Sequence, residues 1–178
     1  TVRSGIAPFG RPGFGDEPGD GGIRAAAGLG STRVTIGIDD DVAGGATAIR
    51  VQAKGLQVEL DVQRPGHDSL GVVVPWSALR FQYTLKDLAN PVSGTVVLDG
   101  VTHDLGQGWA VLDRGRGRWR YSNVWNWGAG SGVVDGSTRA IQVGGRWTDG
   151  TGSTENGILV DGRMHKISED LAWTYVAD

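Results

Sequence analysis

The 178-residue sequence contains no cysteine. This excludes a disulfide framework, a cysteine nucleophile and every thiolate metal site. It has no run of about 18 apolar residues, so nothing in it reads as a membrane-spanning helix. Thr1 to Arg11 lack the charged start and apolar stretch of a secretory signal. Histidine is scarce: His67, His103 and His165 stand far apart, without an HExxH motif or a paired arrangement that would ligate a metal. Asp39-Asp40-Asp41 lacks the twelve-residue calcium-loop pattern and reads as a strand-end cap. Gly128 to Gly132 is glycine-rich, but no Walker lysine or helix start follows it, and there is no GxSxG elbow; nucleotide binding and serine hydrolysis are disfavoured. No charge sign dominates. The 17 Lys plus Arg oppose 20 Asp plus Glu, a net charge of −3, which argues against nucleic acid as a partner and against a solvating tail.

Glycine is abundant, at 31 residues, more than twice the usual share of roughly 7%. Residues 1–30 read as a glycine- and proline-rich arm, pinned by Phe9 and Phe14. Short β-branched runs bounded by Gly, Pro or Asp then follow: Arg33 to Ile38, Ala48 to Gln52, Leu56 to Val62 and Gly71 to Val74. Helical signals are weak, confined to Ala25 to Leu29 and Ser77 to Leu79. The dipeptide Asp-Gly, which suits the positive φ angles of a type I′ turn, occurs at 99–100, 135–136, 149–150 and 161–162. Three of these sit between strand-like runs. Successive short hairpins predict an all-β, antiparallel fold, a barrel or sandwich with very little helix, because parallel βαβ units need a crossover helix. The organisation expected is the arm, a β unit over 31–112 and a second, Trp-rich β unit over 113–178.

Tryptophan is the compositional oddity, with seven copies. From Asp113 onward the odd positions include Trp119, Tyr121, Trp125 and Trp127, while Arg114, Arg116, Arg118 and Arg120 hold even ones. On an extended strand these sets face opposite sides. The bland reading is aromatic core and a solvated arginine face. The functional reading is an aromatic-walled cavity for an apolar ligand, with the arginines free to meet an anion or a phosphate head group. A carboxylic acid in such a wall has its pKa raised by desolvation and can stay protonated as an acid. Asp113 is the first candidate for that role. Glu155, next to Asn156 after the glycine-rich Asp149 to Ser153 loop, is the second, and by itself reads as a turn or surface acid.

Several segments carry a family resemblance. Phe81 to Lys86, Pro91 to Gly100, Leu112 to Gly117, Trp125 to Gly132, Thr154-Glu155-Asn156 and Asp161 to Lys166 resemble DUF2804, a bacterial family of unknown function whose longer members imply that this chain is a portion of a larger protein. More remotely, the order of an aromatic strand, a Val-x-Gly-x-Val-like strand, an Asp-Gly turn, an Asp near a Trp and then Trp-x-Trp is similar to the carotenoid hydratase and AttH-like group. That similarity implies lipocalin-like β-barrels with an apolar cavity and, in the hydratases, addition of water across an isoprenoid double bond. Their acid is followed by His, whereas Arg114 follows Asp113 here.

Taken together, these readings lead to a cofactor-free hydratase- or isomerase-like protein acting on an isoprenoid or lipid-like small molecule. Asp113 is expected as proton donor; Trp119, Tyr121, Trp125, Trp127 and Trp147 as ligand-binding residues; and Asn126 or Glu155 as the group that orients water. The alternatives are a lipocalin-like binding protein without chemistry, and a structural β-domain of a larger assembly. A homodimer or a completing chain would cover open sheet edges. The bacterial resemblance suggests a cytoplasmic location.

Overall fold

A computed structural model describes residues 23–29, 32–38 and 46–176, the first two stretches as backbone only. Of the expected arm over 1–30, Ile23–Leu29 is a strand, while Phe9 and Phe14, and the Asp39 to Asp41 triplet, lie outside the described residues. Along the chain run β1 (Ile23–Leu29), β2 (Thr32–Ile38), β3 (Ala46–Ala53), β4 (Leu56–Gln63), β5 (Leu70–Ser77) and β6 (Arg80–Leu98). They are followed by β7 (Val101–Asp104), β8 (Gly108–Arg118), β9 (Asn126–Val134), β10 (Ser137–Gly145), β11 (Asn156–Val160) and β12 (Arg163–Ile167). The all-β, antiparallel expectation holds, and the described residues contain no helix; Ala25 to Leu29 belongs to β1. The run Ala25-Ala26-Ala27 has high helix propensity, but here a seven-pair ladder with β2 decides the conformation.

One sheet follows the order β1-β2-β3-β4-β6-β5, with β7 and β8 also paired to β6. The other runs β12-β11-β10-β9. Neither closes into a barrel among the described residues. Three Asp-Gly pairs make the tight turns expected of them. Asp99 and Gly100 have φ of 48° and 83°, Asp135 and Gly136 52° and 79°, and Asp161 and Gly162 45° and 83°.

The chain divides into two compact units that interleave in sequence. Among the described residues, one comprises those from 23 to 66 together with Asn90–Ala110, the other His67–Ala89 with 111–176. Strand β6 accounts for the interleaving. At 19 residues it far exceeds the usual strand, and its first half belongs to the second unit while its remainder belongs to the first. In the first unit, β3 and β4 form an eight-pair ladder, and β4 pairs Leu56 to Val62 with Leu98 to Val92 of β6.

In the second unit, β5 alternates strictly, with Leu70, Val72 and Val74 buried and Gly71, Val73 and Pro75 exposed. The three buried side chains cluster with Trp147, and Trp76 and Met164 pack against them. Each contributes roughly 1.5–3 kcal/mol by leaving water. Two hydrogen bonds fix the strand against the 146–153 loop: Trp76 Nε1 donates to the Trp147 carbonyl at 2.6 Å, and Ser153 Oγ to the Val73 carbonyl at 2.8 Å.

Close approach of β8 to β6 depends on glycine. A Cβ on Gly117 would lie 2.2 Å from the Phe81 carbonyl oxygen and 2.8 Å from Gln82 Cα, both main-chain atoms that cannot swing aside. Gly117→Ala is therefore expected to destabilise the protein by about 1–3 kcal/mol, as overpacking does, in a chemical denaturation curve. Alanine at Gly132, where a Cβ meets nothing within 4 Å, is the control and should change stability far less.

Candidate functional site

The second unit buries more polar side chains than packing requires: Thr84, Lys86, Asp87, Gln142, Thr154, Glu155 and Asn156 are all buried. Parity along β6 explains the first of these. Gln82, Thr84 and Lys86 are two residues apart and share one face of the strand. Strand β8 brings Asp113 alongside them, and the Thr84 hydroxyl donates to Asp113 Oδ1 at 3.4 Å. Lys86, only 4% exposed, places its ammonium 2.5 Å from Asp113 Oδ2 and 3.5 Å from Glu155 Oε1. A single buried ammonium thus bridges two carboxylates from distant parts of the sequence.

Glu155 arrives from the turn before β11, and its position is set by its neighbours' hydrogen bonds. Asn156 Oδ1 accepts from Gly144 N at 2.9 Å, and Thr154 Oγ1 donates to the Ile167 carbonyl at 2.6 Å. Gln142 of β10, fully buried, donates to the Glu155 carbonyl at 3.2 Å and accepts from Trp127 Nε1 at 2.8 Å. One amide therefore orients both the acid's backbone and an aromatic wall. The Glu155 side chain itself is 1% exposed, and its Oε1 has no hydrogen-bond partner.

An open pocket of about 400 Å³ lies over this cluster. Its walls include Trp119, Trp125, Trp127 and Trp147, and its polar groups include Lys86, Asp113 and Glu155, with Gln82, Arg120 and Asn123. Trp147 is buried, whereas Trp119 and Trp125 are half or more exposed. The ring of Trp127 already faces a cation, with Lys86 Nζ 5.4 Å from its centroid.

Six of the eight site residues expected from sequence therefore meet at one pocket: Asp113, Glu155, Trp119, Trp125, Trp127 and Trp147. Tyr121 is fully exposed and outside the lining, and Asn126 is also outside it, its Nδ2 buried without a partner. The odd-position wall is interrupted because β8 ends at Arg118 and residues 119–125 form no strand. The two acids exchange the environments expected of them. Asp113 is 49% exposed and ion-paired, while Glu155 is the buried acid rather than a surface one. Lys86 was not singled out from sequence; its signal is a lysine at the inward parity of a strand whose next residues, Asp87 to Asn90, are all buried.

Burial pushes the Glu155 carboxyl up from 4.5 to about 7; the Lys86 ammonium and the Thr84 hydroxyl oppose the rise, and the Asp113 charge adds to it. A carboxyl whose folded pKa is raised stabilises the fold fully below the unfolded value and loses that contribution as pH climbs through the folded one. Stability should therefore fall between about pH 4.5 and 7, by on the order of 3 kcal/mol from this group. Glu155→Gln should flatten that slope in denaturation curves measured from pH 4.5 to 8. Lys86→Met, which removes an opposing charge, should raise the Glu155 pKa further, so that the fall still begins near pH 4.5 but continues to higher pH.

Among the described residues, no group of three His, Asp or Glu side chains is placed to hold a metal ion, and no helix is long and apolar enough to cross a membrane. No curated protein and no solved structure matches the chain. The family model of DUF2804, a domain of unknown function, matches residues 6–178, and the chain belongs to that family.

Proposed function

We propose that the pocket of the second unit is a proton-transfer site of the hydratase or isomerase type, acting on an unsaturated, largely apolar small molecule. One observation carries this reading: a buried carboxyl that desolvation pushes up to about 7 lines a tryptophan-walled pocket. An acid–base group works best when its pKa lies near the operating pH. At neutrality Glu155 exists in both forms, so it can give a proton and take one back.

The chemistry balances without a redox partner. Protonated Glu155 delivers its proton to one carbon of a double bond, whose π electrons form the new C–H bond. The neighbouring carbon becomes cationic, and the faces of Trp125 and Trp127 stabilise it by cation–π attraction. Loss of a different proton to the Glu155 carboxylate gives an isomer. Attack by water, with release of its proton to the same carboxylate, gives an alcohol. Asp113 touches Lys86 rather than the reacting atoms and is a positioning residue: it holds the ammonium so that Glu155 is not drawn into a tight ion pair.

The open rim, with Trp119 and Trp125 exposed, supports a second reading in which the pocket binds an apolar ligand and performs no reaction. The two are separated by incubating the protein with an isoprenoid alkenol and a monounsaturated fatty acid in oxygen-18 water and following label and isomers by mass spectrometry. Catalysis predicts products whose formation falls by about 100-fold or more in Glu155→Gln and by less in Asp113→Asn, with tryptophan fluorescence quenching by the ligand retained. Equal turnover in Glu155→Gln would overturn the assignment. Quenching without product in the wild type would favour the binding reading.

A further inference from the structure

Outside the pocket interior, the second unit exposes an unusual concentration of large apolar side chains. Trp119, Tyr121, Val124 and Trp125 are all exposed within the strand-free segment that follows β8. Leu79, at the tip of the β5–β6 hairpin, is 68% exposed. Arg80 Nη1, beside the tip, donates to the Trp119 carbonyl oxygen and ties this end of the hairpin to the segment. Single exposed apolar residues are ordinary, but a group of this kind marks an interaction site.

A row of arginines precedes it in the chain. Gly115 and Gly117 lie against the β6 backbone, so the alternating Arg114, Arg116 and Arg118 occupy the opposite, solvent-facing side of β8, and all three are exposed. None of them forms an ion pair with a described carboxylate. Arg120, beyond the end of β8, turns to the pocket instead, its guanidinium 5.4 Å from the Trp76 ring centroid. A basic row next to tryptophan, tyrosine and aliphatic side chains is the composition that enters the headgroup region of a bilayer. Stable attachment requires two such signals together, apolar insertion and electrostatic attraction.

We propose that this surface docks the protein peripherally on an anionic phospholipid membrane. The 119–125 segment and the hairpin tip enter the headgroup boundary, and the β8 arginines pair with lipid phosphates. Single-stranded nucleic acid fits less well, because Leu79 and Val124 have no ring face on which a base can stack. Docking requires nothing of Glu155, so it stands apart from the reaction proposed for the pocket. Trp119 and Trp125 belong to both the surface and the pocket lining, which places the rim of the pocket at the bilayer.

The test is co-sedimentation of the full chain with vesicles of phosphatidylglycerol and phosphatidylcholine, compared with phosphatidylcholine alone. Binding should require the anionic lipid, weaken with salt, and drop by about five-fold for each charge removed in Arg116→Gln and Arg118→Gln. The triple variant Leu79→Ser, Tyr121→Ser, Val124→Ser, all exposed positions outside the pocket lining, should lose binding while keeping the wild-type thermal transition. No binding, equal binding to phosphatidylcholine alone, or wild-type binding by the folded triple variant would overturn the proposal. So would tighter binding to a single-stranded RNA oligonucleotide, or self-association that the triple variant abolishes.

Discussion

The buried ammonium of Lys86 is the constraint around which the second unit is organised. Removing a lysine from water costs several kcal/mol unless opposite charge and hydrogen-bond partners stand nearby. The first half of β6 cannot supply that charge from its own inward face, where Gln82 and Thr84 are the neighbours. The carboxylates must come from elsewhere, and they do: Asp113 from β8 and Glu155 from the turn before β11. The pairing thus ties both sheets of the unit to one point. Solvent reaches Asp113 but not Glu155, whose carboxyl burial pushes up to about 7.

Much of the fold is legible in the sequence because local rules act without competition there. Asp-Gly turns and β-branched runs give hairpins wherever no stronger signal intervenes, and the turns at 99–100, 135–136 and 161–162 form as their chemistry dictates. Two features depend on long-range pairing instead. The extent of β6 is hidden because Ala89, Asn90, Pro91 and Gly94 look like interruptions, yet Ala89 and Gly94 are accommodated at φ of 54° and 133° within one continuous strand. The end of β8 at Arg118 is equally hidden, since the alternation of aromatic and basic residues continues past it.

The candidate site was legible in its walls and in its two acids, but not in Lys86 nor in which acid is buried. Tryptophans are rare and large, so their clustering near 119–127 and at 147 points to a common location. Which carboxylate is buried is a different question, answered by neighbours that are remote in sequence. Glu155 follows a glycine-rich loop and looks solvated, but the hydrogen bonds of Thr154, Gln142 and Asn156 draw it inward. Asp113 sits among arginines and tryptophans and looks enclosed, but β8 leaves its side chain half in water. Lys86 escapes notice because a lone lysine on a strand is ordinarily a surface residue.

The central claim is that Glu155 is a carboxylic acid held near neutrality by burial, in spite of the lysine beside it. A carbon-13 titration of labelled glutamate carboxyls in the intact protein, with Glu155→Gln to assign the signal, measures this directly. The account predicts one glutamate that titrates near pH 7 and disappears in the variant. If the Glu155 resonance instead titrates at or below its ordinary value of 4.5, the lysine dominates the desolvation, the site is a static ion-pair network, and the acid–base reading is contradicted.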